Sequence, residues 1–403
     1  MSAGRPTRIL YCETNVDGTV GGSYYSLLYL LKGLDRKRYH PIALFSSDHT
    51  LMPAYHAAGI ETIIWPGPRP YRFAARVQAP VLHFPLMAVQ KAVNVARGYL
   101  ISSVVRAAFL RKHRIDVVHL NNSILYNHDW MLAAKLAGAK GVCHERGIND
   151  QYPATAKYFG KRLDAIVCIS DAVRTNMQEH GAGFPNIVTI PNGLDPDAMR
   201  VERTPEVLRA TLGLDASTPV VGMVGNIKAW KGQHTVVHAM DRIRRECPDV
   251  RCVFVGDTAP ADQPYDREVR ALVAALELEE HIIFAGFQRN VTDFLNMFDV
   301  VIHASVAPEP FGRVILEAMA CRKAVVGARA GAIPEIVDEG KTGLTFPPAD
   351  ADCLADAVIA LMRDRRRAEA MGQEGYCRLV RHFHIARNVE STERLYESLL
   401  GAH

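Results

Sequence analysis

Two carboxylates, Glu309 and Glu317, stand eight residues apart in the stretch Glu309-Pro-Phe-Gly-Arg-Val-Ile-Leu-Glu317-Ala-Met-Ala. Pro310 suits the first turn of a helix, where its missing N–H costs nothing, so a helix is predicted to start near Phe311. The residues that follow are almost all apolar, which marks a buried helix, and a carboxylate such as Glu317 in that setting needs a polar partner. Eight residues are roughly two helical turns, so both carboxylates are expected along one side of the helix, Glu309 at its mouth and Glu317 below. Between them the free N–H groups of Phe311, Gly312 and Arg313 would form an anion site favoured by the helix dipole. Carboxylates that accept from hydroxyls, beside N–H groups that take a phosphate, describe a pocket for a sugar nucleotide.

The elements that must position these groups alternate between buried strands and helices. Residues 8–14 read as a first strand, 15–23 as a glycine-rich turn, and Ser23 as the N-cap of a helix through Leu34. Strand, glycine-rich loop and helix make the first unit of a Rossmann-like half. The loop is neither G-x-G-x-x-G nor a Walker A sequence, which argues against a dinucleotide or ATP. Strands over 115–121 and 140–147 would deliver His119-Leu-Asn-Asn-Ser123 and His144-Glu-Arg146 to their C-terminal ends. Ligands of open α/β sheets bind there, so both clusters are expected to face one crevice. Pro191-Asn-Gly193 is a strong turn signal and places a linker between domains. The alternation then restarts with strands at 219–225, 251–257, 281–287, 299–305 and 324–328, and the chain reads as helical after Pro347.

These segments resemble the retaining glycosyltransferases of the GT-B fold, specifically glycosyltransferase family 4. Residues 309–320 are similar to that family's E-x7-E signature, 163–171 and 186–195 to its "vSd" and "iPNGvD" segments, and 331–337 to its "GgipEiv" segment. The resemblance implies an α/β protein of two Rossmann-like domains facing a cleft, 1–195 on the acceptor side and 196–384 binding the nucleotide sugar. A C-terminal helix (385–403) would cross back to the first domain. It implies transfer of a sugar from a nucleotide diphosphate with retention at the anomeric carbon, by front-face displacement. Glu309 would accept from hydroxyls of the donor sugar, Glu317 from the ribose, and His144 would lie beside the sugar; Glu309, His144 and Lys231 are thus the expected catalytic residues. Gly21 and Gly22 would let backbone N–H groups approach the donor phosphate and the acceptor, and Phe287 would meet the base edge. Lys231, followed by Gly232, would grip the diphosphate together with an arginine after the first strand of the second domain. Asn226 stands in that arginine's place, so Lys228, two residues on, is expected to supply the charge, as a point charge rather than a bidentate fork. No metal is expected, and no cofactor beyond the donor. Two other classes fit the same frame. A GT-B sugar-nucleotide epimerase would need extra carboxylates facing the donor; a non-catalytic relative is encouraged only by Asn226.

Composition bounds the rest. At 403 residues the chain is long enough for two cores. Its eight cysteines are scattered with no C-x-x-C pair, so they read as reduced core residues of a cytoplasmic protein. No run is long and apolar enough to span a membrane. The net charge of +4 hides an asymmetry: residues 1–195 hold 22 Lys+Arg against 13 Asp+Glu, and residues 62–115 hold nine of those cations and no acid. Arg69, Arg72 and Arg76 precede an amphipathic segment over 82–110, interleaved with Phe73, Phe84, Tyr99 and Phe109. Such a face suits peripheral contact with the anionic inner surface of a cell membrane. The expected partners are a nucleotide-sugar donor and a glycan or lipid-linked acceptor of cell-surface polysaccharide biosynthesis, with no nucleic acid.

Overall fold

The computed structural model describes residues 5–14, 21–67, 71–72, 80–181, 183–184 and 186–401, with side chains from Pro85 onward in the helix that opens at Pro80. The chain divides into two compact units, Met1–Pro191 with Asn388–His403, and Asn192–Arg387.

The first unit is built on a seven-stranded sheet. Its strands are β1 (Thr7–Glu13), β2 (Tyr39–Phe45), β3 (Glu61–Ile64), β4 (Val117–Leu120), β5 (Lys140–Glu145), β6 (Ala165–Cys168) and β7 (Ile187–Thr189), in the order β3-β2-β1-β4-β5-β6-β7. Every pairing is parallel. Runs such as Ile9-Leu-Tyr-Cys12 and Ala165-Ile-Val-Cys168 are buried along their whole length, as helices on both faces of a parallel sheet require. The helix after β1 spans Gly22–Gly33 and is capped by Gly21 with no side-chain cap, so Ser23 lies inside it. Residues 15–20 of the glycine-rich turn lie outside the described residues. The last helix, Ile385–Leu400, belongs to this unit from Asn388 on: Asn388 Nδ2 donates to Pro191 O (2.7 Å) and the Asp35 N–H to Glu393 (2.9 Å). Val389 packs against Gly33, where a Cβ would come within 2.5 Å of its methyl.

The second unit repeats the plan with six parallel strands. They are β8 (Val220–Val224), β9 (Arg251–Val255), β10 (Ile282–Gly286), β11 (Val300–His303), β12 (Ala324–Ala328) and β13 (Gly343–Phe346), ordered β10-β9-β8-β11-β12-β13. Its core joins Val221, Val300 and Val326 of the sheet to Val236 and Met240 of the helix Gln233–Glu246 and Leu354 and Val358 of Ala351–Arg363.

The helix after β11 departs from the sequence reading. It spans Arg313–Ala320, because Gly312 adopts φ +83° and forms its N-cap. A left-handed residue ends helical continuity, so Glu309 lies outside the helix and pairs with Gly331 in an isolated parallel bridge. The two glutamates therefore do not share two turns of one helix. Strand β13 was not expected either: four residues at a sheet edge carry little periodic signal.

Candidate active site

In the second unit, Lys231 and Glu309, both expected at the donor site, come together beyond the C-terminal ends of β8 and β11. The loop after β8 ends in a 3-10 turn, Ala229–Lys231, and Gly232 at φ +79° starts the next helix. A Cβ on Gly232 would lie 2.0 Å from Ala304 O, and Val306 N donates to Trp230 O (2.9 Å). The loops after β8 and β11 are thus locked together, and Lys231 meets Glu309: Nζ lies 2.7 Å from Oε2. His303 Nε2 (3.2 Å) and Ser305 Oγ (3.0 Å) reach the same oxygen. Three donors converge on Oε2, which leaves Oε1 to accept from a hydroxyl. Burial alone would raise the Glu309 carboxyl, but the hydrogen bond from His303 and the Lys231 charge outweigh it and hold the group far below the usual carboxylate range.

The backbone of Glu309 is held as firmly. Ala332 N donates to Glu309 O (2.9 Å), and a Cβ on Gly331 would lie 2.2 Å from that oxygen. Glu317 is buried one turn into the helix and is gripped by Arg313, whose Nε and Nη2 lie 2.8 and 2.7 Å from Oε1. Phe311 is buried with its ring 6.3 Å from that of Phe383, so of this residue only the backbone is suited to a ligand. Asn226 is exposed, and its carbonyl accepts from Gln233 Nε2 (3.1 Å). Lys228 Nζ lies 3.5 Å from Asp262. Phe287 is 72% exposed beside Gly286 at the end of β10. His303 and Ser305 escaped the sequence reading; the rule that flagged His119 and His144, a polar residue ending a buried strand, applied to them equally.

The first unit carries a separate buried polar cluster at the ends of β1, β4 and β5. Glu13, His119, Asn121, His144 and Glu145 are all buried. Arg146 donates from Nε to Asn121 O (2.7 Å) and from Nη2 to Asn121 Oδ1 (2.8 Å), and burial lowers it to about 10. Burial also raises Glu145 to about 7, against hydrogen bonds from Ser123 Oγ (2.8 Å) and the Ile124 and Gly147 N–H groups. His144 is only 1% exposed, with Nδ1 2.7 Å from His119 Nε2. Gly21 and Gly22 lie at the mouth of the first helix. A cavity of about 390 Å³ opens nearby, lined by Thr14, Trp65, Arg106, Asn127, Asp129 and others. Among the described residues no group of three or more His, Cys, Asp or Glu side chains could hold a metal ion.

Residues 20–198 match the family described as Glycosyltransferase Family 4, and residues 206–378 match Glycosyl transferases group 1. The chain belongs to glycosyltransferase family 4. This glycosyltransferase is 29% identical over 303 residues to N-acetyl-alpha-D-glucosaminyl L-malate synthase of Bacillus anthracis, covering 73% of this chain and 77% of that one. It is 28% identical over 247 residues to the lipopolysaccharide core biosynthesis mannosyltransferase LpsB of Rhizobium meliloti, covering 61% and 68%. Its fold is that of Anabaena Alr3699/HepE, solved with UDP and glucose: TM-score 0.80 at 22% identity, covering 97% of this chain and all of that one. The glycosyltransferase thus has the two-sheet GT-B architecture.

Proposed function

We propose that this glycosyltransferase takes its sugar from a nucleoside diphosphate held by the second unit and transfers it with retention at the anomeric carbon, without a metal ion. The observation that carries this reading is the convergence of Lys231, His303 and Ser305 on one oxygen of Glu309, just ahead of the Arg313–Ala320 helix. An ammonium has three donors, so Lys231 can hold Glu309 and still reach a phosphate. Glu309, ionised at all physiological pH, accepts from sugar hydroxyls through Oε1 and takes no part in proton transfer. Acceptor deprotonation then falls to the leaving phosphate. The diphosphate gathers charge as it departs, and Lys231, Lys228 and the N–H groups at the helix start supply fixed compensation. Glu317, oriented by Arg313, takes the ribose.

The cavity beside Trp65 and Arg106 suits the acceptor. The acid-free stretch suggests where that acceptor lies. It forms helices Pro80–Val95 and Ser102–Lys112 joined by a π-helical turn, and exposes Val89, Val93, Leu100, Ile101, Val104 and Val105 beside Lys91. An exposed apolar face of this kind with cations fits an anionic membrane carrying a lipid-linked acceptor. Not all of the stretch contributes. Arg106 is buried against Asp129 (3.2 Å), Phe109 packs on Trp65, and Tyr99 stacks on His128 and Phe159. Arg69, Arg76 and Phe73, and the Phe84 side chain, lie outside what is described. No helix among the described residues is long and apolar enough to cross a membrane.

The test incubates the enzyme with UDP-, GDP- and ADP-sugars and lipid-linked acceptors, and follows the anomeric proton by NMR. A product with the donor's anomeric configuration, formed in the presence of a chelator, is expected. An inverted product, or turnover that stops with chelation, would overturn the mechanism.

A further inference from the structure

His144 ends a hydrogen-bonded line that runs from Tyr11 of β1 through Tyr396 of the C-terminal helix. Tyr11 Oη and Tyr396 Oη are 2.8 Å apart, Tyr396 Oη lies 2.5 Å from His119 Nδ1, and His119 Nε2 lies 2.7 Å from His144 Nδ1. The rings are packed as tightly: Tyr11 stacks on His119 at 5.0 Å and His119 on His144 at 4.7 Å. Tyr11, Tyr396 and His119 are fully buried, and His144 Nε2 is buried with no hydrogen-bond partner.

Such a line can be protonated in only a few ways, and they are not equivalent. With Tyr11 donating to Tyr396, Tyr396 to His119 Nδ1, and His119 Nε2–H to His144 Nδ1, every hydroxyl and ring nitrogen is satisfied except the final His144 Nε2–H. In the reverse direction His144 Nδ1–H donates to His119, His119 Nδ1–H to Tyr396, and Tyr396 to Tyr11. The Tyr11 hydrogen then has no acceptor in a fully buried place, and His144 Nε2 is left as an unmatched lone pair. The reverse therefore leaves two buried groups unsatisfied where the forward leaves one, and each unmade bond carries its full desolvation cost. Protonation offers no escape. Burial first, then the Arg146 charge, lowers His119 to about 3 and holds His144 well below its ordinary value, so both rings stay neutral.

We propose that Tyr396 is a positioning residue: through His119 it fixes His144 as the Nε2–H tautomer, presenting a hydrogen-bond donor and never a base. The ligand this donor fits is an acceptor oxygen, a sugar hydroxyl or a phosphate oxygen; that assignment rests on the proposed function, whereas the tautomer does not. The same arrangement makes the C-terminal helix part of the site's chemistry and not only of its packing.

The experiment reads the tautomer directly. Wild type, Tyr396→Phe and Tyr11→Phe are labelled with 15N-histidine, and long-range 1H–15N spectra are recorded without ligand between pH 5.5 and 8. His119 and His144 are assigned by His119→Gln and His144→Gln. In the wild type both rings are expected as the Nε2–H form throughout. Tyr11→Phe, which also deletes one buried hydroxyl, leaves Tyr396 donating and keeps that signature. Tyr396→Phe removes the donor to His119 and converts His144 to a mixture of tautomers. An Nδ1–H or protonated His144 in the wild type, or an unchanged signature in Tyr396→Phe, would overturn the proposal. Should Tyr396→Phe not fold, the wild-type spectrum decides alone. Adding UDP-, GDP- and ADP-sugars afterwards tests the ligand separately: a shift of His144 Nε2 only with one of them supports a donor-side contact, and its absence retires the ligand and leaves the tautomer standing.

Discussion

Glu309 and Glu317 share a signature but not an environment, and their variants should separate. Glu309 receives Lys231, His303 and Ser305 on one oxygen and offers the other, whereas Glu317 is tied to Arg313 on the helix. Glu309→Gln keeps the shape but removes the charge that these donors serve. It should lower kcat by about 100-fold or more while changing donor KM little, and Glu317→Ala should do the reverse. Steady-state kinetics at varied donor concentration checks both. A second residue-scale outcome concerns Glu145. Its folded carboxyl, raised to about 7 by burial, binds a proton below that pH, while the unfolded chain binds it only below about 4.5. The folded state thus holds more protons between these values, and this carboxyl makes stability fall as pH rises from 4.5 through 7. Glu145→Gln, a mimic of the protonated acid, should lose less stability than wild type between pH 5 and pH 8. The differential should be up to about 3 kcal/mol by denaturant unfolding. Equal changes in both proteins would remove Glu145 as the titrating group.

At the scale of elements, the strands and the helices between them could be read from their periodicity, since a buried parallel strand leaves an apolar run such as Val220–Val224. The placement of Glu309 could not. Pro310 reads as a helix start, and only the left-handed Gly312 and the contact with Gly331, twenty-two residues on in the chain, pull Glu309 out of the helix. Long-range backbone packing of this kind leaves no local mark. The 331–337 segment, noticed in the sequence only for its resemblance, thereby gains a physical role: Gly331, at φ +59°, lets the backbone close on Glu309. Gly331→Ala would place a methyl 2.2 Å from Glu309 O. It should cost about 1–3 kcal/mol in stability and lower turnover as Glu309→Gln does, while nucleoside diphosphate binding persists. Full activity in this variant would mean that the Glu309 backbone need not be fixed.

At the scale of the molecule, the two parallel sheets were legible because the alternation of strand and helix restarts after Pro191, whereas the return of the last helix was implied only by the family resemblance. The relay through Tyr396 was not legible, since it joins residues 385 positions apart. Nor did the acid-free stretch read correctly as a whole: its count of cations is real, but burial takes Arg106 out of it, and ring contacts engage the half-buried Phe109 and Tyr99. What is left is an apolar face with fewer charges. Co-sedimentation should therefore show stronger binding to anionic than to neutral vesicles, weakened by salt and lost in Leu100→Asp/Val104→Asp. Equal partitioning onto both lipids would point to a soluble acceptor.

The central claim is that Lys231 and Glu309 mark the seat of a nucleoside diphosphate in the second unit. Calorimetric titration of UDP, GDP and ADP into wild type and Lys231→Ala tests it without any acceptor or assumed sugar. One of the three is expected to bind the wild type, and Lys231→Ala should weaken that binding by at least about tenfold, the loss of one charge-assisted contact. Binding of the same nucleotide with unchanged affinity in Lys231→Ala, or binding of none of the three, would contradict the account.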